Sequence, residues 1–244
     1  MRPINGIINT DMKVYALSDL HLSITNPKPM DIFGGAWDNY LAEIERSWHE
    51  LISPEDIVLI AGDISWAMTF DNALPDLAYL AGYPGKKVLL RGNHDYWWKS
   101  ISTMRAAFPE SVYAVQNDCL RFGKLLVFGS RGWTSPDGRY ASAEDEKIYK
   151  RETERMRLSV NAMNKMRLPG DSVIAMIHYP PFNTRRESSP FTELFEAAGI
   201  ENVVYGHLHG KGCRADKLYI HNGVKYYLTS CDQINNTPQF ITEI

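Results

Sequence analysis

Lys87-Val88-Leu89-Leu90-Arg91-Gly92-Asn93-His94-Asp95 is an apolar run that ends in a glycine and three side chains able to ligate, donate or accept protons. Residues Lys87 to Leu90 read as a buried strand, and a helical pattern begins a few residues beyond Asp95. The Gly-Asn-His-Asp stretch therefore stands at the C-terminal mouth of a strand, where open α/β sheets bind their ligands. A glycine there lets the backbone turn sharply or approach another group closely. Taken alone, the stretch fits equally well a turn in which Asn93 and Asp95 cap the next helix. Four other stretches of the same form change that balance.

Upstream, Val14 to Leu17 reads as a short strand ending in Ser18-Asp19-Leu20-His21, and Ile57 to Ile60 as a strand ending in Ala61-Gly62-Asp63. Between them, Trp37 to Ile52 has helical spacing, with Leu41, Ile44, Trp48 and Leu51 on one stripe. Phe70 to Tyr83 is expected to be helical, with Pro75 near its start and Gly82 near its end. Downstream, Lys99 to Phe108 is expected as a short helix, and residues 111 to 130 hold two or three short strands with a hairpin turn at Phe122-Gly123-Lys124. Ser142 opens a long helix. Asp145 lies three residues on, in an approximate capping box, and the acidic-then-basic order suits the helix dipole. Tyr149, Thr153, Met156, Val160 and Met163 form its buried stripe, read as core packing rather than a partner-binding face.

Val173 to Ile177 and Asn202 to Tyr205 are two more buried strands, ending in His178-Tyr179-Pro180-Pro181 and Gly206-His207-Leu208-His209. A short helix is expected between them, near Phe191 to Ala198. Lys217 to Ile220, Val224 to Thr229 and Phe240 to Ile244 read as antiparallel hairpin strands, with Asn222-Gly223 as a tight turn. Strand–helix alternation followed by a β-rich tail argues one α/β domain over residues 1–244, with residues 1–11 either an added strand or an N-terminal extension.

Bulk properties narrow the function classes. Hydrophobic residues make up 44% of the 244 and charged residues 23%, enough for a sizeable core. The net charge of −3 and pI near 6.2 offer no basic excess for non-specific nucleic-acid or membrane binding. Cys119, Cys213 and Cys231 are odd in number and widely spaced, so they form neither a disulfide framework nor a zinc-finger pattern. A reducing, cytoplasmic setting is expected. No apolar run approaches the roughly 20 residues of a membrane span, and the N-terminus lacks a signal-peptide core.

The strand ends together collect Asp19, His21, Asp63, Asn93, His94, His178, His207 and His209. Carboxylate, amide and imidazole donors suit Mn²⁺, Fe²⁺/Fe³⁺, Co²⁺ or Zn²⁺, with manganese or iron favoured. Asp-x-His and His-x-His place alternate side chains on one side of an extended segment. The candidate ligands outnumber the three or four that one catalytic zinc takes, so two ions sharing a carboxylate fit better. Each piece also has a bland reading: a buried histidine such as His178 is usually a satisfied core residue, and an aspartate after a strand, such as Asp63, is often a helix cap. Five such ends in sequence make coincidence a poor explanation. His49 and His221 match no pattern.

The set Asp19-x-His21, Gly62-Asp63, Gly92-Asn93-His94-Asp95, His178 and Gly206-His207-x-His209 resembles the complete signature of the calcineurin-like metallophosphoesterases. The resemblance implies a four-layer α/β/β/α sandwich with two facing mixed sheets and a dinuclear metal centre. It implies that Asp19, His21, Asp63 and His209 hold one ion, and Asp63, Asn93, His178 and His207 the other, with Asp63 bridging. His94 then faces the substrate phosphate beside Asn93 as general acid or charge stabiliser, with Asp95 as its orienting partner.

The expected reaction is hydrolysis of a small or medium-sized phosphoester, mono- or diester, by a metal-bridging hydroxide attacking phosphorus in line, with His94 protonating the leaving oxygen. Arg91, Arg131, Arg139, Arg185 and Arg186 lie in or near loops and read as surface residues rather than phosphate clamps. Trp37, Trp66, Trp97 and Trp98 flank the motifs, where they either wall a pocket or pack in the core. A nuclease of the same superfamily is the alternative, disfavoured by the mild acidity but open to a local basic patch at Arg185-Arg186. A non-catalytic scaffold would be expected to have lost ligands, and none is missing.

Overall fold

Every central strand of this protein is apolar on both faces, because each is covered on both sides. The computed structural model describes residues 12–25 and 27–244. One sheet is built from β1 (Lys13–Ala16), β2 (Ile57–Ile60), β3 (Lys86–Leu90), β4 (Val112–Val115) and the last strand of the chain, β11 (Gln239–Glu243), in the order β11-β1-β2-β3-β4. The other holds β5 (Asp118–Phe122), β6 (Leu125–Ser130), β7 (Ser172–Ile177), β8 (Asn202–Tyr205), β9 (Leu218–His221) and β10 (Val224–Leu228), in the order β5-β6-β7-β8-β10-β9. Both sheets are mixed: parallel at their centres, antiparallel where β11 meets β1, β5 meets β6 and β9 meets β10.

Alternation within single strands sorts their side chains between layers. Ile57 and Leu59 of β2 join Leu125, Val127, Ile174, Met176 and Val204 in a buried layer between the sheets. Val58 and Ile60 of the same strand face the opposite way, into a core shared with α1 (Tyr40–Leu51), α2 (Phe70–Ala81) and α3 (Ile101–Ala107). Leu126, Phe128, Val203 and Tyr205 of the second sheet pack with α4 (Ala143–Met166) and α5 (Pro190–Ala197). Helices thus lie outside each sheet, which is the four-layer α/β/β/α sandwich of the metallo-dependent phosphatase type.

Lys87 is the exception to the apolar rule on β3. It is wholly buried, and its Nζ donates to the carbonyls of Tyr83 at 2.6 Å and Gly85 at 2.9 Å. Burial pushes the amine down to about 8. The three cysteines are all free thiols. Among the described residues no helix is long and apolar enough to cross a membrane.

Several expectations are corrected. Leu51 is 41% exposed rather than part of the α1 stripe, which is carried by Tyr40, Ile44, Ser47 and Trp48. Residues Gly35–Trp37 form a separate 3-10 turn, so the helix starts later than Trp37, after Asn39 in a left-handed conformation. Pro75 sits in the second turn of α2 rather than near its first residue. Ser142 caps α4 by accepting the Asp145 N–H, but the Asp145 carboxylate takes the Ser142 hydroxyl proton instead of reaching back to the backbone. The reciprocal capping box belongs to α5, between Ser189 and Thr192.

The β-rich tail also divides. β9 and β10 form the expected hairpin, with β10 parallel to β8 on its other side. β11 does not extend that hairpin. It crosses to the first sheet and pairs antiparallel with β1, so the described chain begins and ends in adjacent strands. The proposed extension at residues 1–11 lies outside the described residues.

Candidate metal centre

Strand ends from both sheets meet at one rim. β1 delivers Asp19 and His21, β2 delivers Asp63, β3 delivers Asn93 and His94, β7 delivers His178, and β8 delivers His207 and His209. The close approach requires glycine: a Cβ on Gly92 would lie 2.1 Å from Asp63 Oδ1, and one on Gly206 would lie 2.5 Å from Asp19 Oδ2. The segments are not extended as alternation assumed. Asp19, His21, Asp63 and His207 all have left-handed φ, at 57°, 47°, 52° and 70°. Such backbone is costly for non-glycine residues and clusters at functional sites.

One carboxylate or imidazole atom each from Asp19, His21 and His209 lies within 4.8 Å of the others, and the same holds for Asp19, Asp63 and His178. Asp63 Oδ2 stands between two rings, 4.0 Å from His21 Nε2 and 3.5 Å from His178 Nε2. Asn93 Oδ1 is 2.7 Å from His178 Nε2 and 2.9 Å from His207 Nδ1. The His-x-His pair therefore splits. His207 turns to Asn93, while the His209 ring packs 5.3 Å from that of His21.

The fit of a cation can be tested on the polar atoms. Nδ1 and Nε2 of buried His21 and Oδ2 of buried Asp63 have no hydrogen-bond partner among the described residues. Each such orphan costs about 1–3 kcal/mol in a protein interior. Nδ1 of His178 faces the Ala61 carbonyl at 2.8 Å, so Nδ1 carries the proton and the Nε2 lone pair points at Asn93 Oδ1. A ligating histidine typically commits its second nitrogen this way. Lone pairs of the His178 imidazole, the Asp63 carboxylate and the Asn93 amide oxygen thus converge with no proton between them, an arrangement that a positive ion relieves. The residues fit divalent metal.

The electrostatics agree. Burial, aided by the neighbouring Asp63, holds the Asp19 carboxyl well above the usual range. Burial lifts Asp63 to about 6, against the pull of the His94 N–H. Burial drives His21 and His209 down, and takes His178 and His207 to about 3. Neutral imidazoles beside crowded carboxylates are ligands ready for a cation.

A stability prediction follows for the metal-free chain. The folded pKa of His178, about 3, lies below the unfolded value near 6.5. Its contribution is therefore complete above pH 6.5 and is lost as pH falls towards 3. Between pH 7.5 and 5 that loss is about 2 kcal/mol. The raised carboxylates act in the opposite sense, so the effect is isolated by comparison with His178→Asn. In urea unfolding with chelator, the stability advantage of wild type over the variant is expected to shrink by about 2 kcal/mol at pH 5. An advantage unchanged between the two pH values would contradict a neutral, buried His178.

Asp95 does not face His94. Its carboxylate accepts the N–H groups of Asp63, Ile64, Ser65 and Gly92 and the Trp97 indole. It ties the β2 loop to the β3 loop, where an orienting partner of the His94 ring was expected. The His94 N–H holds Asp63 Oδ1 at 2.8 Å, and its half-buried ring lies 4.7 Å from that of Trp66. Trp66 also stacks on His21, and Trp37 stands 5.9 Å from both His21 and His209. Trp97 and Trp98 are buried in the helix-side core.

Sequence reasoning missed Ser230 and Asp232. The Ser230 hydroxyl donates to Asp19 Oδ2 at 2.7 Å, and Asp232 accepts the Gly210 N–H at 2.6 Å. Their signal was available: Thr229-Ser230-Cys231-Asp232 ends the β10 run as the other motifs end theirs. A groove of about 460 Å³ opens beside His207, walled by Tyr179, Phe182, Leu208 and Tyr219 with Arg186 and Arg214 along it. Arg186 pairs with Asp216, and Arg185 with Glu187 at 2.9 Å, so the Arg185-Arg186 dipeptide is not a bare basic patch.

The chain matches the Calcineurin-like phosphoesterase family over residues 12–211. It is similar to the Gene 66 protein of Mycobacterium phage D29, 40% identical over 83 residues, which is 34% of this chain and 40% of that protein. The chain thus spans well under two thirds of that relative. In three dimensions it resembles the phosphopantetheinyl hydrolase of Mycobacterium tuberculosis, with a TM-score of 0.56 at 16% identity, covering 96% of this chain and 97% of that one. It also aligns with a protein of unknown function from Aquifex aeolicus, with a TM-score of 0.49 at 14% identity, over 94% and 96% of the two chains.

Proposed function

Because this chain belongs to the calcineurin-like phosphoesterase family, we propose that it is a dinuclear metal-dependent hydrolase of a small or medium-sized phosphoester. Asp19, His21, Asp63 and His209 would hold one divalent ion and Asp63, Asn93, His178 and His207 the other, manganese or iron by preference. The observation that carries this reading is Asp63 Oδ2, buried and unpartnered between His21 and His178. We take the described residues as one domain, since β11 returns to β1.

When bound, a pair of such ions supplies Lewis acidity to the phosphoryl oxygens and acidity to the attacking water. The protein's own part is positioning. Ser230 and the His207 N–H aim the Asp19 carboxylate, and the Ala61 carbonyl sets the tautomer of His178. The His94 N–H orients Asp63 through Oδ1, which leaves Oδ2 free. The His94 ring, at the half-exposed mouth, would protonate the leaving oxygen. The groove beside His207 would take the organic part of the ester.

The paired Arg185 and Arg186 count against the nuclease alternative, and the undiminished donor set counts against a scaffold. The test is a rate screen of the Mn²⁺-loaded protein over phosphomonoesters, diesters, cyclic phosphates and labelled single-stranded DNA. Turnover of bis-(p-nitrophenyl) phosphate or a small monoester, faster than of DNA, is expected. DNA as the better substrate would make the protein a nuclease, and no turnover of any ester would remove the enzymatic reading.

A further inference from the structure

A second cluster of charge stands behind the metal centre. Arg91 follows β3, Arg131 follows β6, and Arg151 and Arg155 project from α4 around a cavity of about 300 Å³, with Gln116 and Asn117 on its wall. Three of the four guanidiniums meet one carboxylate. Glu152, with 1% of its side chain exposed, offers Oε1 to Arg155 at 2.7 Å, Arg131 at 3.3 Å and Arg151 at 3.5 Å. Three positive charges remain in excess around the cavity. Nε of Arg91 and Nε of Arg131 are buried and have no partner among the described residues. Asp95, behind Gly92, is already occupied by N–H donors.

A structural role alone accounts for this poorly. One glutamate needs one arginine, and each further guanidinium brought into a partly buried space adds like-charge repulsion and unmet N–H donors. Guanidinium forks match the oxygens of a tetrahedral oxyanion, which accepts several such bonds at once. Glu152 holds three of the forks in place, so the site is ordered before any anion arrives. The cavity touches the metal centre through the backbone: Arg91 adjoins Gly92-Asn93, and the Arg131 carbonyl accepts the His178 N–H at 3.0 Å.

We propose that the cavity framed by Arg91, Arg131, Arg151 and Arg155 is an oxyanion site that takes a phosphate dianion, free or carried as a second phosphate on the substrate. The test is calorimetric titration of the metal-loaded chain with inorganic phosphate, for wild type, Arg151→Gln and Arg155→Gln. Arg131 continues to hold Glu152 in both variants, and circular dichroism verifies their folding. Wild type is expected to show two classes of phosphate site, at the metals and at the arginines. Each variant is expected to weaken only the second class, by about tenfold. Arg155→Lys, which keeps charge but loses the fork, is expected to fall between.

Kinetics distinguishes the source. For a second substrate phosphate, Arg151→Gln raises KM for esters bearing two phosphates and leaves bis-(p-nitrophenyl) phosphate unchanged. For free phosphate, KM is unchanged for both, and added phosphate changes the wild-type kcat, beyond its competition with substrate at the metals, by an effect that Arg151→Gln removes. A single class of site in wild type would overturn the proposal. So would equal weakening of both classes, or a cluster that binds single-stranded DNA and not phosphate.

Discussion

Asp63→Asn is expected to bind neither metal ion tightly, with affinity lowered about 100-fold or more at both positions, and to lose phosphoester hydrolysis with them. The reason is geometric. Oδ2 of this one carboxylate lies between a ring of each proposed ligand group, 4.0 Å from His21 Nε2 and 3.5 Å from His178 Nε2. Asparagine is chosen over alanine because residue 63 has φ of 52°, a conformation that asparagine tolerates and alanine resists. The variant can still use a carbonyl oxygen to accept the His94 N–H, which now reaches Asp63 Oδ1. Without metal, the wild-type chain carries Asp63 and Asp19 as buried, mutually repelling carboxyls. The metal-free variant is therefore expected to melt no lower than metal-free wild type, which separates lost coordination from lost fold. Metal content by mass spectrometry, compared with Asn93→Ala, checks the sharing. Among the described residues the Asn93 side-chain oxygen meets His178 and His207, so its loss should release mainly one ion. Two ions retained by Asp63→Asn would rule out a bridging carboxylate.

His94→Ala is expected to keep both ions and to slow hydrolysis of alkyl phosphoesters by about 10²–10⁴-fold, with a smaller loss for nitrophenyl esters. A poor leaving group needs a proton in the transition state and a nitrophenolate does not, so the loss should grow with leaving-group pKa. The substitution is clean with respect to Asp63, because the bond that aims that carboxylate comes from the His94 backbone. The ring itself touches the aromatic wall of Trp66, 4.7 Å between centroids, and stands 5.7 Å from His21. An equal loss for both ester types would assign the ring to stabilising charge on the phosphoryl oxygens. Loss of a metal ion from the variant would make His94 a ligand. His94→Gln, which keeps a hydrogen-bond donor but cannot pass on a proton, is expected to recover little of the alkyl-ester rate.

The wider assembly of the rim explains why such substitutions are informative one at a time. Three proposed ligands are each held by a neighbour from a different strand end: Asp19 by Ser230, His178 by the Ala61 carbonyl, Asp63 by His94. Asp95 underlies Asp63, joining the loops after β2 and β3 through N–H donors from both. Its effect on catalysis would act through the placement of Asp63 and Asn93 rather than through the proton on His94.

Much of this was legible along the chain because it is local. Strands such as Ile57–Ile60 and Asn202–Tyr205 announce themselves by unbroken apolar runs, since burial on both faces leaves no polar alternation. The donor residues directly follow those runs, so the candidate ligands could be collected without knowing how the strands pair. Pairing itself was not legible. Nothing within Gln239–Glu243 says that it lies beside β1 rather than extending the hairpin before it, because its partner is more than 200 residues away. Side-chain direction at the strand ends was also decided in three dimensions. Left-handed backbone at Asp19, His21 and His207 replaced the extended alternation that the spacing suggests. The same holds for Asp95, turned under the loops by donors from Asp63, Ile64 and Ser65, and for Glu152, drawn among arginines from β6 and α4. Residue type and local period are properties of the sequence, whereas the partner that satisfies a buried charge is a property of the packed fold.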